Sequence, residues 1–334
     1  MTDPHPLQEK PLVSVIIPVY FNEENIPVTW PAVRAALQCI EQEYRWELVF
    51  VDDGSADGSF RELSKAYQQD PAHVRIIKLT RNFGQVAAIL AGFKAVRGSC
   101  GVVLSADLQD PPELIGEMVS RWNQGTLKIV LATRTHREDG WFARWGSRTF
   151  YRLMRRYAVP SMPEGGFDFF LVDRCVIDLI NKTEEKNTFL QGQILWTGFP
   201  PYIIEYARQK RELGRSRWTL SRKVKYLTDG FVTYSVFPIR VITAVGLLAS
   251  AMSFTYASVI IVGKLVWDIP LKGWPPIMVS ILGLSGVQLV MLGVIGEYLW
   301  RNYYETRKLP NYVIESITEA APGALTEQRA CKKS

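Results

Sequence analysis

Between residues 12 and 132, apolar runs of strand length alternate with segments whose apolar positions recur every three or four residues. The runs are Val13–Val19, Leu48–Val51, Val74–Leu79, Gly101–Leu104 and Lys128–Ala132. Between them lie Val33, Leu37 and Ile40, then Leu63, Ala66 and Tyr67, then Val86, Ile89, Leu90 and Phe93, at helical spacing. Alternation of this kind predicts an α/β domain with a mainly parallel, Rossmann-like sheet covered by helices on both faces. Such folds bind ligands beyond the carboxyl ends of their strands. The polar clusters Tyr20–Glu24, Asp52–Asp57, Arg81–Gln85 and Asp107–Asp110 fall there. The stretch from Gly140 to Arg215 is less periodic, mixes aromatic and basic residues, and is expected to complete a cleft.

The pattern then changes. Leu220, Val224, Leu227, Phe231 and Tyr234 alternate at four and three, with Arg222, Lys223 and Lys225 off the stripe. This predicts an amphipathic helix over 216–239, lying in a membrane interface or packed on a core. Two uncharged runs follow, Val241–Gly263 and Gly273–Gly296, each about the length that crosses roughly 30 Å of hydrocarbon. The expected organisation is a polar segment over 1–11, an α/β domain over 12–215 and an interfacial helix over 216–239. Two spans (about 241–263 and 275–297) lie within 240–299, and a polar tail covers 300–334. Recurring small residues at Gly283, Gly286 and Gly293 hint at helix packing, within one chain or between copies, so a homo-oligomer stays open.

Charge adds a direction. The net charge is +6, and nine of the basic residues crowd into Glu205–Arg240 against three acids, while the connector between the spans carries only Lys264, Asp268 and Lys272. The positive-inside rule places the domain and both termini in the cytoplasm, at a cell's inner (plasma) membrane. The basic cluster serves topology and anionic lipid alone, or ligand phosphates as well. Its place at a bilayer boundary argues against a nucleic-acid partner. The four cysteines show no metal or disulfide spacing and the three histidines are scattered, which argues against zinc and histidine-centred chemistry.

Two motifs invite chemistry. Asp52 and Asp53, at a strand end, can accept from base N–H or ribose hydroxyl groups, while Ser55 or Asp57 caps the next helix. No GxGxxG follows the first strand, which weakens a nicotinamide-type site. Asp107-Leu108-Gln109-Asp110-Pro111-Pro112 offers oxygen ligands for Mg²⁺ or Mn²⁺, or is simply an acidic turn stopped by prolines.

Taken in order, Pro18-Val19-Tyr20, Asn22-Glu23-Glu24, Asp52-Asp53-Gly54-Ser55, Arg81-Asn82-Phe83-Gly84 and Asp107 through Glu113 resemble the inverting family 2 glycosyltransferases of GT-A fold. The polyprenyl-phosphate group, with dolichol-phosphate mannose synthase and the undecaprenyl-phosphate sugar transferases, is the closer likeness. Gly166-Phe167-Asp168-Phe169, Gly214 through Trp218 and Pro238-Ile239-Arg240 agree with it. The resemblance implies transfer from a UDP-sugar to a polyprenyl phosphate, with glucose or N-acetylglucosamine foremost. It implies a nucleotide-sugar site at Pro18, Tyr20, Glu23, Asp52, Asp53, Ser105, Ala106 and Asp107. Asp107 and Gln109 would hold the metal, Asp168 would be the base, and Arg81, Arg208, Arg211, Ser216 and Arg217 would meet phosphates or acceptor. Two positions depart from the family pattern: Ser105 stands where an acid is common, and Phe170 where an arginine is common. These departures keep a second reading in view, a nucleotide-sugar-binding membrane scaffold or sensor with impaired catalysis.

Overall fold

The computed structural model describes residues 10–134, 152, 154–156, 159–183, 189–207, 237–267, 273–307 and 309–320. The chain divides into two compact units, one formed by residues 1–227 with 310–334 and the other by 228–309.

In the first unit the elements run β1 (Leu12–Val19), α1 (Ile26–Gln38), β2 (Arg45–Asp52), α2 (Ser59–Gln69), β3 (Val74–Leu79), α3 (Gln85–Ala95), β4 (Cys100–Val103) and α4 (Leu114–Asn123). They continue with β5 (Ile129–Arg134), β6 (Phe169–Asp173), α5 (Arg174–Lys182), α6 (Leu190–Trp196) and β7 (Pro201–Tyr206). The predicted strands and the three predicted helices are all present. Their apolar runs are continuous because both strand faces are covered: Val13, Val15, Ile16, Ile17 and Val19 are all fully buried. On one side Val33 and Leu37 of α1, Leu63 of α2 and Ile115 of α4 meet the sheet, and on the other α3 does.

The strand order is β7-β5-β6-β4-β1-β2-β3-β8, where β8 is Ile314–Thr318. β6 runs antiparallel to both β4 and β5, and β8 antiparallel to β3; the remaining neighbours are parallel. Reversal of β6 places its amino end beside the carboxyl ends of β4 and β5. Residue 168, just before β6, therefore joins the ligand edge although it begins a strand.

β8 is an element that the sequence reading did not assign to the tail. Its Ile76↔Thr318 and Ile77↔Ile317 pairs cover the edge of β3. Glu319 just beyond it binds Arg75 and Arg97, each at 2.8 Å, and Glu315 binds Lys78 at 3.0 Å.

The second unit consists of α7 (Phe237–Trp267) and α8 (Trp274–Thr306), of 31 and 33 residues. Both are long and apolar enough to cross a membrane, with the apolar windows Ile239–Tyr256 and Gly283–Trp300. Leu247 and Phe254 are 67% and 75% exposed, a surface suited to lipid rather than water. The two helices come near each other at Gly246, where an added Cβ would lie 2.9 Å from Met291 Cε. Gly283, Gly286 and Gly293 have open space beside them, so within the chain the close approach falls at Gly246 and not at the three glycines that the sequence singled out. The amphipathic helix expected over 216–239 lies outside the described residues, except for its end at the start of α7.

Candidate active site

Three strand ends form one rim. Beyond β1, Phe21 adopts φ 55° and its N–H donates to Ser55 Oγ at 3.1 Å, tying this turn to the one after β2. Glu23 is held twice: Gly58 N–H donates to Oε2 at 2.9 Å, and Arg61 binds Oε1 at 2.7 Å. Beyond β2, Ser55 N–H donates to Asp52 Oδ1, whereas Asp52 Oδ2 is buried with no hydrogen-bond partner. Burial raises the Asp52 pKa.

Asp53 accepts from Phe83 N–H at 2.7 Å and Gly84 N–H at 2.9 Å. It thereby fixes the loop after β3 and the start of α3. Burial pushes its carboxyl up to about 6, although these two N–H groups favour the charged form. Gly54 between these strands cannot be replaced cheaply: its φ is 66°, and a Cβ there would sit 2.4 Å from the Arg81 carbonyl carbon. Arg81 itself is exposed, with its guanidinium 4.4 Å from the centre of the Phe83 ring. Pro18, Tyr20, Glu23, Asp52 and Asp53 thus share one rim, and the described bonds of Glu23 and Asp53 build that rim.

Beyond β4 the chain turns through Ser105, Ala106 and Asp107, with Leu108 at φ 52°, a strained position for a non-glycine residue. The Ala106 carbonyl accepts from Thr29 Oγ1 at 2.8 Å, which fastens the turn to α1. Asp107 and Gln109 are both partly exposed, and Gln109 N–H donates to Asp107 Oδ1 at 3.4 Å. A carboxylate and an amide oxygen on one turn fit Mg²⁺ or Mn²⁺, which accept few protein ligands and fill the shell with phosphate oxygens and water. Among the described residues no cluster of three or more His, Cys, Asp or Glu offers a metal cage. An ion here would be shared with its substrate.

Asp168 stands at the same edge. Arg134, the last residue of β5, donates to its Oδ2 at 2.7 Å, and Gln191 of α6 donates to Oδ1 at 3.2 Å. Phe170 is in the core of β6, edge-on to Phe93 and Phe167. The cation expected two residues after the base is therefore absent there, and Arg134 is the guanidinium beside Asp168. Burial works against the charge of Arg134, but Asp168, Tyr206 and Asp110 outweigh it and hold its pKa high.

Three residues without an assigned role now enter: Asp110, Arg134 and Tyr206. Asp110 is fully buried and accepts from Ser105 Oγ at 2.8 Å and from the Tyr206 hydroxyl. Burial first, and then the Asp110 charge, raise the Tyr206 pKa, so its hydroxyl remains a donor. Asp110 was visible in its motif, and Arg134 and Tyr206 could have been suspected only as polar residues closing β-runs. Arg208, Arg211, Ser216 and Arg217 lie outside the described residues. Among the described residues Cys39, Cys100 and Cys175 are free thiols.

The mixed sheet gathers its acids at one edge, and comparison with known proteins gives the class of transferase to which the chain belongs. Residues 14–180 match the family described as glycosyl transferase family 2. The chain belongs to this family and is a glycosyltransferase with the GT-A-like mixed sheet. It is 37% identical over 303 residues to the uncharacterized glycosyltransferase YkcC of Bacillus subtilis (strain 168), covering 90% of this chain and 93% of that protein. It is 35% identical over 305 residues to the bactoprenol glucosyl transferase of Shigella phage SfX, covering 91% and 99%. Among solved structures it is similar to the mannosyltransferase PcManGT of Pyrobaculum calidifontis in complex with GDP-Man and Mn²⁺. That likeness has 15% identity and a TM-score of 0.47, over 90% of this chain and 88% of that one.

Proposed function

We propose that this protein transfers glucose from UDP-glucose to a polyprenyl phosphate, with inversion, at the cytoplasmic face of a membrane. The observation that carries the reading is the match to a bactoprenol glucosyl transferase over 91% of this chain, the two apolar helices included. N-acetylglucosamine is the other sugar that the sequence keeps in view.

The chemistry suits the residues. A phosphate monoester has a second pKa of about 6, so the acceptor is largely dianionic at neutral pH and needs little deprotonation. Asp168, already held by Arg134 and Gln191, then orients groups at the anomeric centre more than it takes a proton. The larger obstacle is bringing two anionic phosphates together. Arg134, held beside Asp168, would offset that charge, and the basic residues Arg208, Arg211 and Arg217, with Ser216, would meet the acceptor phosphate as the family resemblance implies. Asp107 and Gln109 would hold Mg²⁺ or Mn²⁺, whose chemistry is to neutralise the departing diphosphate. The rim at Pro18, Tyr20, Glu23, Asp52 and Asp53, continued by Ser105 and Ala106, would take the nucleoside. A polyprenyl tail leaves the bilayer at a cost of roughly 0.8 kcal/mol per CH₂, so the domain works beside the membrane.

The test is transfer of label from a panel of radiolabelled UDP-sugars into undecaprenyl phosphate by the purified full chain, with an EDTA control. Organic-phase label from UDP-glucose, abolished by EDTA, is expected. Label from another donor alone would replace glucose in this reading, and UDP binding without transfer from any donor would favour the sensor.

A further inference from the structure

A line of hydrogen bonds crosses the ligand edge beneath the site. Ser105 Oγ donates to Asp110 Oδ2 at 2.8 Å, and the Tyr206 hydroxyl donates to Asp110 Oδ1. The same hydroxyl accepts from the Arg134 guanidinium, which donates in turn to Asp168 Oδ2 at 2.7 Å. The line begins on the turn that carries Asp107 and ends on Asp168. Sheet order explains how residues so far apart in sequence meet. β7, β5, β6 and β4 are successive neighbours, and Arg134↔Tyr206 is the last registered pair of β5 and β7.

Burial separates the members by role. Asp110 is 0% and Tyr206 7% exposed, so neither can reach a substrate, while the Asp168 side chain is half exposed. The Tyr206 hydroxyl is the one group in the line that both donates and accepts, and its ring rests edge-on against Phe169, the residue after Asp168. The guanidinium is directed by its bonds to Asp168 and the phenol, with the Asp110 charge behind them; without the phenol its bond to Asp168 remains alone and it can swing. Ser105 belongs to the same line. Its hydroxyl donates to Asp110, which an acid at that position could do only when protonated.

We propose that Tyr206 and Asp110 are positioning residues of the transferase: they hold Arg134, and through it Asp168, in register with the Asp107 turn. The proposal rests on the glucosyl-transfer reading above for its kinetic test. In Tyr206→Phe the ring stays and the hydroxyl goes. The expected result is a kcat for transfer lowered about 10-fold or more, with the KM for UDP-glucose within about threefold, because the nucleoside rim is untouched. A kcat within twofold of wild type overturns the proposal.

A double-mutant cycle with Arg134→Lys adds a readout that mere loss of stability would not move. If the line acts as one unit, the double variant loses little more than the worse single variant; losses that multiply overturn it. Should Tyr206→Phe fail to fold, Asp110→Asn keeps the shape and removes the charge, and the same split between kcat and KM is expected. Wild-type transfer tests the reaction, and the ratio of variant to wild type tests the line. If the wild-type chain transfers nothing, the reaction falls and the line is judged by amide hydrogen exchange over residues 165–169. Faster exchange in the variant supports it, and unchanged exchange overturns it.

Discussion

Asp53 holds two backbone N–H groups with a carboxyl that burial pushes up to about 6, well above the roughly 3.9 of an unfolded chain. A raised folded-state pKa stabilises fully below the unfolded value, and that contribution is lost as pH rises through the folded one. Stability should therefore fall by roughly 3 kcal/mol on this account between about pH 4 and 6 to 7, at 1.36 kcal/mol per unit. Denaturant unfolding should show that slope in wild type and a flatter one in Asp53→Asn, which is neutral throughout. An equal slope in both would remove Asp53 as its source. Asp107→Asn should lower transfer roughly 100-fold or more, the scale of losing one preorganised charge-stabilising group, while membrane insertion is unchanged. Near-normal turnover would remove Asp107 from the metal site. The acids of the rim were legible because each follows an apolar run. Their division of labour was not, because it depends on which backbone N–H groups each carboxylate meets.

β8 carries the clearest prediction at the level of elements. It covers the β3 edge, and Glu319 closes a buried group in which Arg75 also meets Glu47 at 3.3 Å and Glu47 accepts from Ser14 Oγ at 2.6 Å. Removing Glu319 leaves the largely buried Arg75 with Glu47 as its one remaining carboxylate, so part of a desolvated charge loses its compensation. Glu319→Ala should cost about 1–3 kcal/mol, read as a lower unfolding midpoint of the full chain in detergent. Deleting residues 310–334 should cost more and leave the β3 edge open to association with other chains. An unchanged midpoint in both would mean that the strand adds nothing to the domain. β8 escaped the sequence reading because Ile314–Thr318 is short and largely polar, with nothing to distinguish it from a tail. α1, α2 and α3, whose apolar faces are continuous, were readable for the opposite reason.

On the scale of the whole molecule, the chain leaves the first unit after β7 and re-enters it at β8, on opposite edges of one sheet. The two apolar helices are the excursion between. With the basic residues placed on the flanks and few in the connector, single cysteines introduced at 268–272 should be labelled by an impermeant reagent from outside intact cells. Cysteines introduced near residue 10 or 320 should be labelled only after the membrane is opened. The reverse pattern would invert the proposed topology and place the transferase domain outside.

By itself the sequence determined the alternating strands and helices, the two long apolar segments and the order of the acidic motifs. Each of these is written in local periodicity or in neighbouring residues. Tertiary structure alone decided that β6 runs backwards between β4 and β5, bringing Asp168 to the edge that holds Asp107. It also decided that Tyr206 and Asp110 stand behind Arg134, and that the tail supplies a strand. Each of these depends on which distant segments pair, and pairing is settled by packing and hydrogen-bond satisfaction across the whole sheet, to which no short stretch of sequence has access.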